Sequence, residues 1–162
     1  MNIFYLDRDI TKCAQAHLNK HVVKMCVEYA QMLCGAIRVS DPAMVEDWMY
    51  KLTHQHHPCA VWLRQSTSNW IYLRDLALAL GDEYNYRYGG KKDKRHKSIE
   101  AVVKRLKVPN LPLAAFTEPP QCVSEECISD DVVEAYRKYY ITDKADIGVW
   151  TKRESPCWWK NA

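Results

Sequence analysis

The sequence predicts a mainly α-helical fold, a single compact helical domain over residues 1–162 with an extended arm at its N-terminal end and an aromatic tail at the other. Three observations carry this. From Ile10 to Val39 there is no proline and only one glycine, Gly35, so nothing in that stretch removes a helical hydrogen bond. From Val61 to Leu80 the apolar residues Trp62, Leu63, Trp70, Leu73, Leu76, Ala77 and Leu80 form a stripe at helical spacing, which marks a buried face. Helix starts are signalled repeatedly, by Asp or Ser in cap positions and by Pro42 and Pro58 at first helical positions.

Taken in order, Asn2–Leu6 (NIFYL) reads as a short strand or an extended arm, and Asp7 or Asp9 caps a helical region reaching Val39, either one long helix or two in tandem. Asp41–Leu52 (DPAMVEDWMYKL) is expected to form a short helix, with His54–His57 as a connecting loop. Pro58 opens the next helical stretch, which runs to Tyr88, is divided at Ser66–Ser68 and stops at Gly89-Gly90. Lys91–Lys97 is a basic loop and Ser98–Lys107 a short helix with a basic face. Pro109, Pro112, Pro119 and Pro120 mark an irregular crossing segment. Ser129 or Asp130 caps a last sizeable helix, and the chain closes on a tail rich in tryptophan and basic residues.

Composition narrows the function classes. No segment approaches the roughly 20 apolar residues of a membrane span, and the first residues lack the charged-then-apolar run of a signal peptide. Seven cysteines with no CxxC pair predict reduced thiols and a cytoplasmic protein without a membrane partner. Ten tyrosines and six tryptophans stand against two phenylalanines, an aromatic surface with polar handles suited to half-wet positions and to base stacking. The net charge is only +3, yet Tyr84–Lys107 holds nine Lys/Arg against two acids. Lys91, Lys92, Lys94, Arg95 and Lys97 are therefore expected to face DNA phosphates. In the tail, Lys152 and Arg153 with Trp158 and Trp159 pair cations with planar stackers, either a nucleic-acid groove or a hydrophobic lid.

The chemistry is expected on the first helical region. At 100° per residue, His21, Lys24, Glu28 and Gln31 fall at about +40°, −20°, +20° and −40° from His17. Valines, methionines and alanines surround this polar stripe, so burying it demands pairing or a wet cleft. His17, His21, Lys24 and Glu28 supply the donors, acceptors and charge of general acid–base work, with Gln31 beside them as a substrate contact. Lys24 and Glu28 are expected to act as a pair one turn apart, the lysine enclosed among apolar side chains. Thr53–Trp62 (THQHHPCAVW) carries zinc-type donors at His54, His56, His57 and Cys59, but no second cluster completes a tetrahedron; Cys122 and Cys127, five residues apart, are weak recruits. No metal and no cofactor are expected. His56 and His57 instead open a helix whose N-terminus favours an anion, and Arg64 and Asn69 are placed to reach the same cleft as substrate-binding residues. Asp82, Glu83 and Arg87 read as a surface pair network.

The arrangement NIFYLD, AQAHLNKHVVKM followed by EYAQML, THQHHPCAVWLR, DEYNYRYG and VWTKR with a terminal WW resembles a set of small phage-borne proteins related to the pyrimidine dimer DNA glycosylases. Ala16–Leu18 is similar to that family's Gln-His-Leu, and Trp158-Trp159 to its aromatic C-terminus. The resemblance implies an all-helical DNA repair enzyme with glycosylase and AP lyase activity, in which an N-terminal amine attacks the sugar carbon, a Schiff base forms and a helix glutamate assists. Two departures stand out. Asn2 is larger than the family's small second residue, so Met1 is expected to be retained. Lys24 occupies the glutamate's place, the nearest carboxylate being Glu28 one turn on, which makes Lys24 a second candidate nucleophile. The alternatives are a nucleobase- or nucleotide-modifying transferase or hydrolase, and a non-catalytic module binding nucleic acid or a host factor.

Overall fold

The computed structural model describes residues 1–89 and 93–160 and is mainly α-helical, with no strand among the described residues. Asp9 caps α1 (Ile10–Ala16) by accepting from the Lys12 N–H. The chain then leaves helical geometry at His17 and Leu18 and re-enters it in α2 (Asn19–Ser40). The first helical region is thus two helices in tandem, and the break detaches His17 from the stripe drawn by the helical wheel. Its cause is tertiary: Trp150 Nε1 donates to the Ala16 carbonyl at 3.0 Å, and the Asn19 N–H donates to Val149 O at 2.8 Å. The tail thereby takes up backbone groups that a continuous helix would need.

Pro58 opens α3 (Pro58–Leu63), and Ser66, accepting from the Asn69 N–H, caps α4 (Thr67–Tyr88). Gly89 closes α4, with its N–H on Asn85 O. The predicted helix at Asp41–Leu52 shrinks to one 3-10 turn, Pro42–Met44. Arg38 donates to the carbonyls of Met49 and Tyr50, and its bonds tie that turn-rich segment to α2. Ser98–Lys107 likewise divides, into α5 (Lys97–Ala101) and a 3-10 turn at Val103–Arg105. No helix lies between Leu106 and Ser124, as the prolines required. Asp131 caps α6 (Val132–Asp143) with bonds from the Val133 and Glu134 N–H groups, one residue past the expected cap, and α7 (Cys157–Lys160) ends the described chain.

The longest helices, α2 and α4, pack against each other, with α1 on α4 and α3 and α5 on α2. Into this assembly runs the N-terminal arm, whose residues Ile3 to Leu6 are all buried. The arm has no sheet partner, so side chains satisfy its backbone: Phe4 N–H donates to the Tyr29 hydroxyl, Leu6 N–H to Cys13 Sγ, and Arg137 Nε to Leu6 O. No described helix is long and apolar enough to cross a membrane.

Candidate functional site

The arm, α2, the start of α3, the crossing segment and α6 enclose one side of a cavity of about 240 Å³. Met1, His21, Lys24, Glu28, His57, Cys122 and Lys144 line it. Glu28 is its centre of charge. One carboxylate oxygen lies 3.1 Å from Lys24 Nζ and the other 3.8 Å from the Met1 amino nitrogen, with the Glu28 side chain 16% exposed. The Lys24–Glu28 pair at i, i+4 follows from helix geometry alone. The Lys24 side chain is 65% exposed, however, and is not enclosed among apolar side chains as the wheel had it.

The two helix histidines separate into different environments. His21 is stacked on Phe4, centroids 4.3 Å apart and planes 5° from parallel, and its Nδ1 lies 2.6 Å from the Tyr140 hydroxyl. Burial, then the neighbouring His17 and two lysines, lower its pKa to about 3, so the ring is neutral. His17 is fully buried and outside the cavity lining. Its Nδ1 faces Cys13 O at 2.8 Å, and a carbonyl only accepts, so Nδ1 carries the proton and Nε2 accepts from the Tyr29 hydroxyl at 3.3 Å. Burial lowers its pKa to about 4. His17 positions α1 against the arm and does not face the cavity.

His57 caps α3, its Nδ1 accepting from the Cys59 N–H, and burial lowers its pKa. His56 lies on the exposed side of the loop, bonded to Gln55, and Arg64 donates back to Gln55 O. Asn69 is buried and joins Trp62 O to Thr117, holding the crossing segment to α3 and α4. None of these three lines the cavity, nor does Gln31. Cys122, by contrast, arrives from 63 residues away, its Sγ 3.6 Å from Cys59 Sγ. The Asn2 amide holds its carbonyl, while the Tyr136 hydroxyl accepts from its N–H. Of the two neighbouring thiols, Cys122 is the more acidic, drawn down to about 7 by the hydrogen bond from Cys59. Cys127 bonds instead with Ser124 and Thr142.

The predicted DNA-facing residues form two groups. Lys94, Arg95 and Lys97 are exposed, although Arg95 is paired with Asp93 and Asp82; Lys91 and Lys92 lie outside the described residues. Lys152, Arg153 and Trp158 line a second, larger cavity of about 470 Å³ together with Lys12, Arg137 and Cys157. Trp158 lies under the Arg137 guanidinium at 5.5 Å, while Trp159 packs on Trp150 and over Gly148. Both tail tryptophans are half-buried and fold back onto the helices. Arg153 is also committed inward: its guanidinium grips Glu83 at 2.6 and 2.8 Å, and Glu83 bonds Arg87 at 2.6 Å. Glu83 and Arg87 are therefore a buried ion cluster rather than the surface pair expected from spacing, while Asp82 stays exposed.

No protein-family model matches the chain, and neither a curated protein nor a solved structure matches it. The class of protein rests on the site itself.

Proposed function

We propose that the chain is a DNA-acting enzyme, a base-excision glycosylase with AP lyase activity, whose reaction centre is the cavity around Glu28. One observation carries the reading: a single, mostly enclosed carboxylate lies between two primary amines, Lys24 Nζ at 3.1 Å and the Met1 amino nitrogen at 3.8 Å. An amine in this position attacks the sugar carbon of an extruded nucleotide. The carbon–nitrogen bond to the amine forms, the bond to the base breaks, and the base leaves with the electron pair and a proton. Glu28 accepts the proton that the attacking ammonium must lose and returns it to the sugar ring oxygen as the C1′–O4′ bond breaks, and the Schiff base so formed permits elimination of the 3′ phosphate. The resemblance to the pyrimidine dimer glycosylases agrees with this division of labour. The exposed Lys94 and Lys97, with Lys152 on the lining of the larger cavity, supply phosphate contacts.

The test is incubation with duplex DNA carrying defined base lesions in the presence of borohydride. A covalent adduct is expected, lost in Glu28→Gln. Lys24→Ala abolishes the adduct if the lysine is the nucleophile, and residues added ahead of Met1 abolish it if the Met1 amine is. An absence of adduct on every lesion, or an adduct surviving all three changes, overturns the reading. The pairing of Arg95 with Asp93 and Asp82 favours a second reading, a hydrolase or transferase of free nucleotides or nucleobases, because such a substrate needs no basic track. Activity on a free nucleotide undiminished by neutralising Lys94 and Lys97 separates it from the first.

A further inference from the structure

We infer that His57, Cys59 and Cys122 form a binding site for a zinc-class divalent cation on the wall of the Glu28 cavity. One ligand atom from each of the three residues lies within 4.8 Å of the others. The two sulfurs are 3.6 Å apart. Zinc–sulfur bonds of about 2.3 Å in tetrahedral geometry place two ligating sulfurs about 3.8 Å from each other, so the thiols need almost no movement to share a cation. The histidine nitrogen needs a shift of about 1 Å, within reach of a half-buried ring.

The scaffold around the three donors is built. Cys59 is fully buried in α3, immediately after the His57 cap and Pro58. Cys122 is fixed by bonds from its N–H to the Tyr136 hydroxyl and from the Asn2 amide to its carbonyl. The Asn2 carboxamide oxygen is already occupied by the Tyr136 hydroxyl and the Ile3 N–H. The fourth coordination position therefore falls to the side where His57 and Cys122 line the cavity beside Glu28. Three protein ligands with one position open to a cleft is the arrangement of a catalytic rather than a structural zinc site. Two thiolates and an imidazole select zinc or a similar borderline-soft ion over magnesium or calcium, which take oxygen ligands. Binding replaces the two thiol protons by the cation, releasing both to solvent, and the two thiolates balance its charge.

The inference is independent of the lyase reading, because metal binding and amine trapping are measured separately. The full-length protein is stripped with a chelator, kept reduced with a phosphine, and titrated with Co²⁺ and then Zn²⁺. Expected are one equivalent of Co²⁺, a thiolate-to-cobalt charge-transfer absorption, and its loss on adding Zn²⁺. Cys122→Ser removes the absorption and His57→Gln weakens binding by more than about tenfold, while Cys127→Ser changes neither. Cys59→Ala risks misfolding of the core, so Cys122→Ser with unchanged circular dichroism is the deciding variant. Absence of the charge-transfer band, its persistence in Cys122→Ser, or isolation of a Cys59–Cys122 disulfide from protein never exposed to oxidant overturns the inference.

Discussion

His21 Nδ1 lies 2.6 Å from the Tyr140 hydroxyl, across the gap between α2 and α6, with the ring stacked on Phe4 from the arm. This contact and the His17–Tyr29 bond hold two neutral imidazoles inside the protein. Both folded-state pKa values are lowered, to about 3 and about 4, below the ordinary 6.5. Between those values the unfolded chain binds protons that the folded chain refuses, so stability falls as pH falls from about 6.5. Each histidine contributes a slope of up to about 1.4 kcal/mol per pH unit in that window. Urea unfolding at pH 7.5, 6, 5 and 4.5 should follow this trend, and His17→Gln should flatten it. A stability unchanged between pH 7.5 and 5 refutes the assignment of buried neutral histidines.

The ion cluster makes a different prediction. Arg87 has no side-chain exposure and Glu83 only 3%, so replacing Glu83 by Gln leaves a buried guanidinium without its counter-charge. A loss of about 3–5 kcal/mol is expected in equilibrium unfolding. Arg153→Ala, at a residue 27% exposed, should cost less, because Arg87 keeps its partner. Equal losses from the two changes would contradict the geometry.

DNA binding, if it uses the basic loop, must depend on salt in a countable way. Replacing both Lys94 and Lys97 by Gln removes two exposed cations, and the slope of log affinity against log salt should decrease by roughly 1.8. Arg95→Gln should have a smaller effect, since Asp93 and Asp82 already neutralise it. Fluorescence anisotropy on one duplex at four salt concentrations measures both.

Trp159 packs on Gly148 so closely that a Cβ added there would fall 2.2 Å from the indole ring. Gly148→Ala must displace the ring. The expected result is a red-shifted tryptophan emission and a stability loss of about 1–3 kcal/mol, with the α-helical circular dichroism retained.

The sequence was legible where local chemistry decides. Asp9 and Pro58 announce their helices, Ser66–Ser68 announces the division between α3 and α4, and the crossing prolines forbid a helix. Glu28 and Lys24 were legible as a pair because helix spacing alone brings them together. The break at His17–Leu18 was not, because AQAHLNKH is helix-compatible throughout and the groups that divide it come from Val149 and Trp150. Nor was the shrinkage of Asp41–Leu52, which Arg38 enforces from α2. Cys122 is legible only as a weak recruit beside Cys127, because nothing local separates the two thiols; it reaches Cys59 through an irregular segment, whereas Cys127 bonds with Ser124 and Thr142.

The burial of the arm sets an order of events in synthesis. Asn2 meets Tyr136, 134 residues later, and Leu6 O meets Arg137 after 131. While the chain emerges from the ribosome, Ile3, Phe4, Tyr5 and Leu6 therefore meet partners on α1 and α2 early but lack those on α6 until that helix has been made. Four consecutive apolar residues in that condition are a site for misassociation, and contacts of such long separation close slowly. A nascent chain halted before Val132 should be protease-sensitive and prone to chaperone capture at its first residues, and completion of α6 is the step that withdraws them.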